Sequence, residues 1–124
     1  MTPTHRDAAE DWPSDWLRAT LGLCTLRSLE AGPSYGYAII SSLKDSGLGT
    51  IKGGTLYPLL TRFEEAGLVS TEWRAGDGGP GRKFFALTTT GRAELNRLRT
   101  EWAAFTTISN SFLTADPIGE EVFS

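Results

Sequence analysis

The stretch Gly54-Thr55-Leu56-Tyr57-Pro58-Leu59-Leu60-Thr61-Arg62-Phe63-Glu64-Glu65-Ala66-Gly67 decides the fold. Leu56, Leu59, Leu60 and Phe63 stand at i, i+3, i+4 and i+7, a single apolar stripe on a helix that begins near Gly54-Thr55. Pro58 reads as a first-turn proline, where its missing N–H has no bond to lose, and Gly67 as a left-handed C-cap. The other side of the same helix carries Gly54, Thr55, Tyr57, Pro58, Thr61 and Arg62. A clean stripe on one face and short, flat or cationic groups on the other describe a helix packed on its own domain and presented to a ligand.

Upstream, Gly47 and Gly49 end a short second helix, in which Ser34 is the expected cap and Tyr35, Ile39, Ile40 and Leu43 follow at helical spacing. Before it, Pro13-Ser14 opens a first helix with Ser14 as N-cap and Asp15 in the first turn, and Gly32-Pro33 closes it. Its apolar residues Trp16, Leu17, Leu21, Leu23, Cys24, Leu26 and Leu29 occupy more than one face. That predicts burial on two sides, against its own domain and a second subunit.

Downstream, residues 68–74 alternate, with Val69, Thr71 and Trp73 on one face and Trp73 expected in the wing core. Residues 82–88 alternate again around Phe85 and Leu87, and the glycine-rich run 75–81 between them is turn material: a β-hairpin with a loose tip. Thr89 or Thr90 then caps a long fourth helix. Leu95, Leu98, Trp102, Phe105 and Phe112 follow a 3-4-3 step with Ser109 in the remaining slot, the seam of two helices packed lengthwise. No other long helix in the chain supplies the partner, so dimerisation is the economical reading. Thr106-Thr107-Ile108-Ser109-Asn110 predicts late fraying.

Together these elements give a mainly α fold with a two-stranded β wing, a winged helix-turn-helix with a C-terminal dimerisation helix. The expected segments are an acidic, flexible extension (1–13), the DNA-binding domain (14–88), the dimerisation helix (89–114) and an acidic tail (115–124).

A chain of 124 residues, 40% of them apolar and 10% aromatic, builds one ordinary core. Residues 1–12 hold three acids and no apolar stretch, which predicts no secretory signal. The longest uncharged run, 102–115, contains Thr, Ser and Asn and is too short to span a bilayer. A single cysteine excludes an internal disulfide and fits a reducing, cytoplasmic location. The net charge of −3 argues at first against nucleic acid. By position, however, residues 1–15 sum to −3, residues 115–124 to −3, and residues 16–114 to +3. The acid lies in the ends and the body is mildly basic.

Gly36-Tyr37-Ala38-Ile39, Gly54-Thr55-Leu56-Tyr57-Pro58-Leu59-Leu60, Glu65-Ala66-Gly67-Leu68-Val69 and Arg82-Lys83-Phe84-Phe85-Ala86-Leu87-Thr88 with Gly91 resemble the PadR family of bacterial transcriptional regulators. Order and spacing agree from about Leu17 to Trp102, and the single C-terminal helix resembles the smaller subclass. The resemblance implies a homodimeric DNA-binding regulator, usually a repressor, whose third helix enters the major groove and whose wing follows the backbone or minor groove. It also implies that Trp102 faces the dimer interface, where some members hold a flat aromatic effector. Phe84 and Phe85 stand where members commonly have tyrosine, and the tip with four glycines and Pro80 reads as long.

Thr55, Tyr57 and Pro58 suit hydrogen bonding and thymine-methyl contact, and Gly53 and Gly54 let a helix N-terminus approach a phosphate. Lys52 and Arg62 are the expected phosphate anchors, with Arg74, Arg82 and Lys83 on the wing and Tyr37 by family position. Taken singly, these cations read equally as solvated surface or strand-edge charges, and Tyr57 as a core-edge aromatic. The dimer seam comprises Leu17, Leu21, Leu95, Leu98, Trp102, Phe105 and Phe112, and Trp16 with Trp102 borders any small aromatic effector. By the seam pattern alone Trp102 reads first as a plain seam aromatic and only second as a platform for an effector. His5 lies in the acidic end and Cys24 on an apolar helix, a buried inert thiol; no catalytic set, metal site or cofactor loop is expected. The expected partners are operator DNA and a second copy, with no membrane. A winged-helix module that binds protein instead of DNA is the competing reading.

Overall fold

The computed structural model describes residues 12–76, 78–117 and 119. Helix α1 (Ser14–Ser28) is followed by a short strand β1 (Ser34–Tyr35), helix α2 (Gly36–Leu43), helix α3 (Gly53–Glu65), strands β2 (Val69–Gly76) and β3 (Gly79–Leu87), and helix α4 (Thr89–Thr114). The strands form one antiparallel sheet in the order β1-β3-β2.

Each stop has a local cause. Helix α1 starts with Pro13, not Ser14, as its N-cap, and ends four residues before Gly32. After α2 the chain widens through Lys44–Leu48 and turns at Gly47 (φ 101°) and Gly49 (φ 88°), conformations that glycine adopts without steric cost. Helix α3 ends in a Schellman motif. The Leu68 N–H donates to the Phe63 carbonyl (2.9 Å) and the Gly67 N–H to that of Glu64 (3.0 Å), with Gly67 at φ 75° as expected.

Other expectations are corrected. Ser34 does not cap α2: Ser34 and Tyr35 pair with Phe85 and Phe84 as a third strand. Pro58 lies in the second turn of α3, since the helix opens at Gly53, and so deprives the Gly54 carbonyl of its i+4 donor. Thr88, one residue earlier than expected, caps α4; its hydroxyl accepts from the Gly91 N–H (2.9 Å) and donates to the Gly67 carbonyl (2.6 Å). The ribbon stays paired as far as Gly76↔Gly79, with a register shift between Arg74 and Gly76. The 106–110 stretch stays helical, its hydroxyls turned back on the helix: Thr106 bonds the Trp102 carbonyl and Ser109 that of Phe105.

The core gathers Leu26, Ile39, Leu56, Leu60, Phe85 and Leu95, all at most 3% exposed, from five elements. Burying each such side chain stabilises the fold by about 1.5–3 kcal/mol. It fixes α3 by the stripe seen in the sequence, leaving its opposite face open. Leu95 comes from α4, whose first half packs on α1, and Arg99 of α4 donates to Glu30, in the turn just past α1, at 2.7 Å. Helix α1 thus supplies within the chain the partner that the seam was expected to require from outside. Cys24 is half-buried, its thiol 3.5 Å from the Thr20 hydroxyl, rather than fully enclosed.

Candidate nucleic-acid interface

Helix α3 presents Gly54, Thr55, Tyr57, Pro58 and Arg62 to solvent, and Lys52 stands exposed at its N-cap. No side chain caps this N-terminus, and a Cβ at Gly54 would meet open space. The first N–H groups of the helix lack intrahelical acceptors and carry its positive dipole end, so this end favours an anion. Tyr57 leans over the start of α2, where a Cβ at Gly36 would lie 2.1 Å from its hydroxyl. The absence of a side chain at Gly36 therefore allows the Tyr57 pose. Tyr37, next along, is 72% exposed.

The three wing cations do not act as one cluster. Arg74 and Arg82 are cross-strand partners on the outer face, where like charges repel. That repulsion is relieved by Glu72, paired with Arg74, and by two rings: Arg74 lies over Phe84 (4.5 Å) and Arg82 over Tyr35 (4.6 Å). Lys83 is on the opposite face, 3.6 Å from Glu64 of α3. The Thr71 hydroxyl donates to the same carboxylate at 2.7 Å. That bond above all, helped by Lys83, holds the Glu64 carboxyl below its ordinary value against the opposing effect of desolvation. Lys52, Arg62 and Arg82 form no ion pair among the described residues, whereas Arg74 and Lys83 do. The first three are the cations most available to phosphate.

A cleft of about 440 Å³ separates α3 from the wing, with Tyr37 and Tyr57 on one side and Trp73, Arg82 and Lys83 on the other. Trp73 is not wing core. It is 72% exposed, because the sheet extends past the helices before reaching it. Alternation along the strand reports its face and nothing about how far the core reaches.

The expected seam also divides. Leu95 (0% exposed) and Leu21 (8%) belong to the chain's own core, so neither is offered to a second subunit. Leu17 and Leu98 are half-buried. Trp102, Phe105 and Phe112 are exposed, and Ile108 and Leu113, missed from the sequence, extend the same face. A helical wheel wider than the 3-4-3 step would have found them. A groove of about 510 Å³ between α1 and α4 is lined by Leu26, Phe63, Leu98, Trp102 and Phe105, with Arg18, Glu94 and Glu101 among its polar groups. Trp16 is exposed on α1 and does not line this groove, so a single chain does not bring Trp16 and Trp102 together. His5 lies outside the described residues. Among the described residues, no helix is long and apolar enough to cross a membrane.

Three helices and an antiparallel ribbon, with the third helix open along one face, define a winged helix-turn-helix protein. Residues 25–97 match the Transcriptional regulator PadR-like family. A PadR family transcriptional regulator from Eggerthella lenta superposes with a TM-score of 0.75 at 33% identity, over 83% of this chain and 89% of that one. A PadR-like transcription factor from Bacteroides fragilis gives 0.68 at 34%, over 80% and 95%. An uncharacterised protein of Lysinibacillus sphaericus is 29% identical over 102 residues, 81% of this chain and 94% of its own. The chain belongs to the PadR-like family of transcriptional regulators, proteins that bind DNA and are not enzymes.

Proposed function

We propose that the chain is a homodimeric repressor in which each α3 reads one half of an inverted repeat in the major groove and each wing follows the neighbouring backbone. One observation carries this reading. Along the exposed face of α3, Lys52 and Arg62 stand beside Thr55 and Arg82 shares a cleft with Tyr57, and no acid neutralises any of these three cations among the described residues. Thr55, Tyr57 and Pro58 supply base-edge contacts; Lys52, Arg62, Arg82 and the α3 N-terminus hold phosphates, with Tyr37, Arg74 and Lys83 flanking them. Residues 14–88 act as the reading head and residues 89–114 as the dimerisation helix, through Trp102, Phe105, Phe112, Leu17 and Leu98. The half-site centres then lie about one helical turn, roughly 10 bp, apart.

The test is a gel-shift against the promoter region of the chain's own gene over a range of salt. A sequence-selective complex that weakens with salt supports the reading, and its absence rejects it. Lys52→Ala or Arg62→Ala lowers the salt slope by about 0.9 for each phosphate the variant no longer neutralises.

The α1–α4 groove supports a planar aromatic effector beside Trp102, which would relieve repression only by binding one arrangement of the two heads better than the other. Tryptophan quenching by phenolic and polycyclic compounds tests this; an unchanged signal across both sets removes the effector from the reading.

A further inference from the structure

Trp73 is a large apolar side chain that the fold leaves uncovered. Its indole N–H makes no hydrogen bond, and its ring packs on no other ring among the described residues. The facing strand carries Gly81, where an added Cβ would meet the indole at an ordinary contact distance of 3.7 Å. The ring lines the cleft between wing and α3, with Tyr37 and Tyr57 across from it and Arg82 alongside. Aromatic rings and a cation without an ion pair among the described residues thus line one cleft. A DNA strand offers both complements, apolar deoxyribose faces and phosphates, and apolar side chains set against DNA are a recurrent means of gripping it.

We infer that Trp73 is a DNA-contacting residue of the wing, its indole lying against the sugar face of the strand that passes between wing and α3 while Arg82 holds an adjoining phosphate. This rests on the DNA-binding reading above and adds to it a contact that is apolar, and so independent of salt. Arg82 contributes through counterion release. Trp73 contributes by packing, which releases none.

The experiment is fluorescence-anisotropy titration of the full chain with a random-sequence DNA duplex at several low salt concentrations, comparing Trp73→Ala, Trp73→Phe and Arg82→Ala. Trp73→Ala weakens binding roughly fivefold to tenfold with an unchanged salt slope, Trp73→Phe stays within about twofold of the parent, and Arg82→Ala lowers the slope by about 0.9. The exposure of Trp73 leaves the thermal midpoint of either variant near the parent's, and a melt verifies this. Parent-like affinity of Trp73→Ala, with Arg82→Ala weakened, overturns the inference and leaves the DNA-binding reading standing. A reduced salt slope in Trp73→Ala also overturns it, since the ring then acts only by placing the wing cations. Failure of the parent chain to bind any duplex rejects the underlying reading itself.

Discussion

Gly36 and Gly91 both occupy positions without room for a side chain, yet the obstacles differ in kind. At Gly91 a Cβ would lie 1.9 Å from the Leu68 carbonyl, a backbone atom fixed where the end of α3 meets the start of α4. At Gly36 the obstacle is the far end of the half-exposed Tyr57 side chain, which can swing aside. Gly91→Ala therefore destabilises by about 1–3 kcal/mol through overpacking and lowers the melting temperature by several degrees. Gly36→Ala leaves the melt near the parent's and instead weakens DNA binding several-fold by displacing Tyr57. Melts and titrations on both variants check the contrast, and equal effects on stability would refute it. Thr25 is the reverse case: it is fully buried, and its hydroxyl has no partner among the described residues. Thr25→Val removes that unsatisfied group at nearly constant volume, and denaturant melts should show a gain of about 1 kcal/mol.

Among the elements, Glu64 joins the wing to α3 by accepting from Thr71 and pairing with Lys83. Its carboxyl titrates below its ordinary value of 4.5 in the folded chain and near that value when unfolded. The stabilisation is thus full above the unfolded value and is lost as pH falls through the lower folded one. Glu64→Gln flattens stability against pH in that acid range, and urea melts at stepped pH measure it; an unchanged profile would show that the joint is not coupled to folding. The distal half of α4 offers Phe105, Ile108, Phe112 and Leu113 to solvent, with Phe112 83% exposed. On the dimeric reading proposed above, Phe112→Asp halves the mass seen in sedimentation while the helical content of the monomer persists. A variant that stays dimeric would move the interface elsewhere. The elements legible in the sequence were those set by nearby residues: the α3 stripe, the Gly67 stop and the 89–114 span of α4. Strand β1 was illegible because its partners, Phe84 and Phe85, lie some fifty residues on, and local spacing cannot report such pairing. The seam misled for a related reason. Periodicity shows which face of α4 is apolar, and only packing shows that α1 covers its first half. Of the reading face, Thr55 to Arg62 followed from the stripe by elimination, whereas the exposure of Trp73 and the separation of Lys83 from Arg74 and Arg82 depend on where the sheet leaves the core.

At the scale of the whole molecule, the body of +3 is flanked by ends of −3 each, so attraction to DNA comes from a few unpaired cations rather than a broad field. Non-specific binding should accordingly be weak and quickly abolished by salt, which titration of a random-sequence duplex against salt measures. The described chain begins at Trp12, whose indole donates to the Gly47 carbonyl at 2.8 Å, against the turn that leads from α2 to α3. Asp7, Glu10 and Asp11 precede Trp12 in the sequence. Like charge on the chain opposes the approach of phosphate, and such opposition reaches about a Debye length, roughly 10 Å at 0.1 M salt and about 30 Å at 0.01 M. Deleting residues 1–11, which carry a net charge of −2, should tighten binding to a random-sequence duplex at low salt, by a margin that shrinks to nothing as salt rises. Operator binding should change less, because base contacts lie outside the electrostatic contribution, and the ratio of operator to random affinity should fall. Titrations of the full and shortened chains on both duplexes measure that ratio. An unaltered ratio at every salt concentration would assign the acidic end to solubility alone; a fall confined to low salt would make it an electrostatic filter against the wrong DNA.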